Sequence, residues 1–225
     1  MSADRLLDWL ESETTRLLET IDEYWESDFN EQSTLPGWTT GAVVTHLANH
    51  ADSMNNQLTG RDSGRRWTVD TGADRPGAVL ITDAFDSADR LATTMSGLRA
   101  ADWGRLIRTP TGELVTVSRL VWLRLREVTV HHVDLGGRFQ DLPTNLIDEL
   151  LADAVRAVRH RGDWPALVLR PTGSDQALCT RPGNHPGPIE ITGTPAGLLD
   201  WVTGRNDGGL LETPDRSRPA LPFWI

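Results

Sequence analysis

The sequence predicts an α+β protein, with a four-helix bundle over residues 1–142 followed by a small α/β domain over residues 143–225. Two patterns and one boundary carry this reading. Before Pro143, four long segments repeat apolar residues at three- and four-residue spacing, as one face of a packed helix requires. After it, short runs that alternate or stay apolar lie between Gly/Pro turns, as strands do. The change of pattern falls at Leu142-Pro143.

In chain order, Leu6, Leu7, Leu10, Leu17, Leu18, Ile21 and Trp25 place a first helix at about 3–27. Leu35-Pro36-Gly37-Trp38 is a turn, and Thr39 is the N-cap of a second helix that runs to about 58. A long Gly/Arg/Asp-rich connection covers 59–81. The third helix then starts near Thr82 or Asp83 and carries Phe85, Ala88, Leu91, Ala92 and Met95 on one face. A short strand follows Gly112, and Thr116 or Ser118 opens a fourth helix that Gly136-Gly137 stops. In the second domain a helix is expected at about 145–161 and strands at 166–170, 176–180 and 189–192. Thr194-Pro195, an N-cap with proline at the first helical position, opens a short last helix.

The composition narrows the function. The 225 residues carry 22 basic and 32 acidic side chains, a net charge of −10, and every basic residue is an arginine. A nucleic-acid partner needs a basic face to displace counterions, and no basic cluster here stands clear of acidic neighbours. The same charge argues against an anionic membrane surface, no apolar run approaches the ~18 residues of a membrane span, and the N-terminus lacks a signal-peptide core. A soluble, cytoplasmic protein is expected. The absence of lysine excludes Schiff-base chemistry, and one cysteine, Cys179, excludes an intrachain disulfide, a Cys-based zinc cluster and a CxxC redox site.

The remaining chemistry gathers on histidines. Glu127 and His131 are four apart near the end of the fourth helix, so both leave one face about a turn apart. His46, on the apolar stripe of the second helix, supplies a third ligand if the second and fourth helices run antiparallel, because only then do the two levels match at ~1.5 Å per residue. The long connection at 59–81 provides a way to do this, by crossing the bundle and leaving the third helix parallel to the second. Two imidazoles, one carboxylate and an open position make a catalytic rather than a structural zinc set. His46 with His50 is the rival pair, although it lacks the adjacent Glu of an HExxH protease. His50 and His132 rank below the trio as ligands, and Asp134 or Asn49 is placed to orient a ligand imidazole.

Leu35-Pro36-Gly37-Trp38 with His46, and then Arg126-Glu127-Val-Thr-Val-His131-His132-Val-Asp134-Leu135-Gly136, resemble the mycothiol-dependent maleylpyruvate isomerase family of the DinB-like superfamily. The resemblance spans nearly the whole chain. It implies a DinB-like four-helix bundle with a small C-terminal α/β domain, zinc on the positions of His46, Glu127 and His131, and mycothiol as the thiol cofactor. It further implies cis-trans isomerisation of maleylpyruvate to fumarylpyruvate by reversible thiolate addition to the activated double bond. Arg75 is the best match to a family arginine that anchors the dicarboxylate, with Arg61, Arg65 and Arg66 as competitors. The implied partners are thus a small-molecule thiol and a small electrophilic acid, with the chain a monomer or homodimer.

The chain departs from that family at its end. Where characterised isomerases carry a Pro-Arg-Trp arginine, this sequence reads Pro222-Phe223-Trp224, and Arg218 is out of register. A phenyl ring in place of a guanidinium removes one carboxylate clamp. Two alternatives therefore stand beside the isomerase: a mycothiol S-transferase acting on another electrophile, and a non-catalytic DinB-like binding or stress protein.

Overall fold

A computed structural model describes residues 2–61, 72–109, 112–181, 187–214, 218–222 and 224. The chain forms two compact units, Met1–Gly137 and Arg138–Ile225. The division falls five residues before the Leu142-Pro143 boundary read from the sequence. Phe139, in the 3-10 turn Phe139–Asp141, is fully buried, and the neighbouring Gln140 donates to Asp200 inside the second unit at 2.9 Å. Those anchors commit the turn to the second unit although proline marks the start of its first helix.

The first unit holds α1 (Ala3–Asp22), α2 (Thr40–Thr59), α3 (Gly77–Ser96) and α4 (Val117–Asp134), with a hairpin of β1 (Leu106–Arg108) and β2 (Leu114–Thr116) before α4. Thr39 caps α2 by accepting from the Ala42 N–H, and Thr116 caps α4 by accepting from Arg119. Strand β1 carries no period long enough to be read from sequence. It forms because Ile107 pairs with Val115 and both are buried.

Two helix ends differ from expectation. Helix α1 stops at Asp22, short of residue 27, because the Asp28 carboxylate accepts from the Trp25 N–H and turns the chain. Phe29 then enters the core edge-on to Tyr24, and Trp25 is left 79% exposed. Helix α3 begins five residues before Thr82. Its first N–H, on Gly77, donates at 2.8 Å to Glu26, a cap supplied from a residue 51 positions away. No local sequence signal could announce such a cap.

Contacts between helices fix their directions. Asp52 pairs with Arg90 and Asn55 with Thr94, so α2 and α3 run parallel. His46 meets Glu127 and His131, whereas Leu47 and His50 meet Arg124, so α2 and α4 run antiparallel. The crossover arrangement that brings His46 level with Glu127 and His131 is therefore present. Gly41 makes it tight: a Cβ there would lie 2.7 Å from the Ala73 carbonyl oxygen and 3.2 Å from Leu80.

The second unit has α5 (Thr144–Val158), β3 (Leu167–Pro171), β4 (Leu178–Cys179), β5 (Ile189–Gly193) and α6 (Pro195–Val202). The sheet order is β4-β3-β5, antiparallel then parallel, and Leu169 opposite Ile191 is fully buried. Trp224 closes this unit, buried with its indole N–H toward the Ala154 carbonyl. Among the described residues no helix is long and apolar enough to cross a membrane.

Candidate metal centre

Helices α2 and α4 bring His46, Glu127 and His131 together, with one ligand atom from each lying within 4.8 Å of the others. His46 Nε2 is 3.2 Å and His131 Nε2 3.4 Å from the same oxygen, Glu127 Oε2. Both imidazoles thus present the nitrogen that suits a shared ligand position. The helical four-residue step stacks Glu127 and His131 on one face, and the antiparallel crossing adds His46.

The surroundings hold these groups in place. His131 Nδ1 donates to Asp134 Oδ2 at 2.8 Å, and Asp134 in turn accepts from the Thr34 hydroxyl and backbone N–H. The Trp38 indole stacks on His131 with centroids 6.3 Å apart and 19° between planes, and it meets His46 edge-on at 5.5 Å. The residue that ends the Leu35-Pro36-Gly37-Trp38 turn therefore walls the cluster, a role the sequence reading did not assign. Spacing offered a clue, since Trp38 lies eight residues before His46, about two turns of helix.

Burial is the largest single influence on each inner group. It favours a neutral Glu127, but hydrogen bonds from His131 and His46 and the nearby imidazole charge together hold this carboxyl well below the usual range. Burial likewise pulls His131 down, yet the hydrogen bonds and charges of Asp134 and Glu127 leave it raised. His50 is different. Half-buried and facing the Arg124 guanidinium, it is pushed down to about 3, chiefly by desolvation, and stays a neutral acceptor, its Nδ1 3.4 Å from Arg124 Nη1.

The other sequence candidates fall elsewhere. His132 pairs with the Thr20 hydroxyl at 3.0 Å and packs over Gly137. The Arg75 guanidinium is engaged by Asp83 and by the Gly72 carbonyl. Arg218 donates to the Leu211 carbonyl. Arg65, Arg66 and Phe223 lie outside the described residues.

The donor set suits a divalent cation: two imidazole nitrogens and a carboxylate oxygen converge, one imidazole already has its far nitrogen fixed by a carboxylate, and the Glu127 carboxyl is held ionised. Comparison with known proteins agrees with this architecture. The chain is similar over its full length to two crystal structures of mycothiol-dependent maleylpyruvate isomerase, one of them a histidine-to-alanine mutant. In each case the TM-score is 0.89 at 23% identity, with 100% of this chain and 98% of the other covered. No curated protein sequence matches the chain. Residues 10–136, which include α2, α4 and the whole histidine–glutamate cluster, match the family model of the mycothiol maleylpyruvate isomerase N-terminal domain, and the chain belongs to that enzyme family.

Proposed function

We propose that the protein is a zinc- and mycothiol-dependent cis-trans isomerase of maleylpyruvate type. The observation that carries this reading is the convergence of His46, Glu127 and His131 beneath Trp38 in a chain of this family. When bound, zinc would supply charge that lowers the pKa of a thiol in its open position, making thiolate available near neutral pH.

The chain's own residues prepare the place. His46 and His131 offer Nε2, Glu127 offers an ionised carboxylate, and Asp134 fixes the His131 tautomer so that Nε2 is the free nitrogen. Trp38 packs against both rings, stacked on His131 and edge-on to His46, and so limits their rotation. Addition of a thiol to the double bond of maleylpyruvate turns it into a single bond. Rotation about that bond and loss of the thiol then give the trans product without consuming thiol. Arg75 is the proposed carboxylate anchor, exchanging its ion pair with Asp83 for one with substrate.

A maleylpyruvate assay with catalytic mycothiol tests this. The isomerase reading expects many turnovers to fumarylpyruvate per thiol, none without thiol, and loss of activity in His46→Ala. Phe223, in place of the family's C-terminal arginine, favours a second reading as mycothiol S-transferase. Stoichiometric thiol consumption with a stable adduct would establish that reading and overturn the first.

A further inference from the structure

Helices α1 and α3 leave a groove of about 410 Å³ between them, inside the ~300–1,000 Å³ range of small-molecule sites. Its walls are Leu7, Leu10, Leu18, Leu91 and Met95, and Arg124 reaches into it from α4. The α1 and α3 walls belong to helices that carry none of His46, Glu127 and His131, whereas Arg124 lies on α4 one turn before Glu127 and enters the groove from the bundle interior.

Arg124 is the unusual member. It is only 3% exposed. Its Nη1 donates to the Leu47 carbonyl at 2.8 Å and faces the neutral His50. Among the described residues no carboxylate makes ion-pair contact with it, and neither Nε nor Nη2 has a hydrogen-bond partner; Asp52 and Glu127 act on it only through space. A buried guanidinium with two of its three nitrogens unused is costly unless something anionic completes it. Its planar fork matches a carboxylate with two parallel hydrogen bonds.

We propose that this groove is a second ligand site, separate from the His46–Glu127–His131 cluster, for a monocarboxylate with an apolar body. The carboxylate sits on Arg124 Nε and Nη2, and the apolar body lies along Leu7, Leu10, Leu18 and Leu91. Glu11 and Asp89, exposed at its edge, repel a second negative charge. The site therefore selects against the dicarboxylates expected at the metal centre. This goes beyond the isomerase reading and does not depend on it.

Calorimetric titration of the full chain with octanoate tests the proposal, with octan-1-ol and succinate as controls. Saturable one-to-one binding of octanoate is expected, with neither control binding comparably. Arg124→Met, which keeps the side-chain length without the charge, should weaken octanoate by roughly tenfold or more. Thr14→Trp, a half-buried position on the groove wall that needs no new core space, should block it. His131→Ala should leave octanoate binding unchanged. Absence of saturable binding would overturn the proposal. So would equal binding of octan-1-ol, full affinity in Arg124→Met or Thr14→Trp, or loss of binding in His131→Ala.

Discussion

Asp134 shows how one residue sets the chemistry of another. Its carboxylate has no exposed surface, holds His131 Nδ1–H at 2.8 Å, and is itself held by Thr34. Replacing it with Asn keeps the size but lets the amide present either a donor or an acceptor to the ring. Asp134→Asn is expected to weaken metal affinity by about 10–100-fold while the fold persists, read by competition with a chromogenic chelator. Affinity equal to the unmutated protein would show that the Asp134 link does not tune the site.

At this scale the site was largely legible. Helical spacing alone places Glu127 and His131 on one face, with Asp134 one further turn along, and His46 joins them through the antiparallel reading of α2 and α4. The stacking of Trp38 on His131 and the Arg124–His50 contact were not legible, because each depends on side chains from distant segments meeting in space.

Among the elements, α1 carries an anomaly on its core stripe. Glu13 stands with Leu6, Leu10, Leu17 and Ile21 and is 1% exposed. Burial, which outweighs the opposing charge of Arg16, raises its carboxyl above the ordinary 4.5. A carboxyl raised on folding binds its proton more tightly in the folded chain, so ionising it lowers stability as pH climbs from the ordinary value through the folded one. Glu13→Gln should therefore match or exceed the unmutated protein at pH 7, by about 1 kcal/mol or less, with the advantage fading as pH falls toward 4. Urea denaturation at the two pH values checks this. An advantage that grew on acidification would contradict it.

Helices α2 and α3 depend on close approach. A methyl group at Gly41 must displace the Ala73 backbone oxygen rather than a flexible side chain. Gly41→Ala is expected to cost about 1–3 kcal/mol despite the higher helix propensity of alanine, measured by the shift in urea midpoint. Helix starts and stops were legible where the cap is local, as at Thr39, Thr116 and Thr194. They were misread where the cap is tertiary, as at Gly77, or where a neighbouring loop ends the helix, as at Asp28.

For the whole molecule, the decisive feature is the crossover that leaves α2 parallel to α3 and antiparallel to α4. A simple up-down-up-down bundle would make α2 and α4 parallel, and His46 would then sit at the wrong level to meet Glu127 and His131. The sequence indicated this topology indirectly, through the length of the connection at 59–81 and the positions of three residues along their helices. Of the short hairpin before α4, the strand after Gly112 was anticipated but β1 was not, since a three-residue strand has no period to detect. The second unit was readable because its strands are bounded by Gly/Pro turns and its last helix by Thr194-Pro195.

The proposed chemistry rests on a cation held jointly by α2 and α4. Elemental analysis of the purified protein and of His46→Ala, Glu127→Ala and His131→Ala, each confirmed as folded, tests that directly. About one zinc per chain in the unmutated protein, lost in all three variants, is the expected result. No bound metal even after zinc is supplied, or zinc retained in all three variants, would contradict the account.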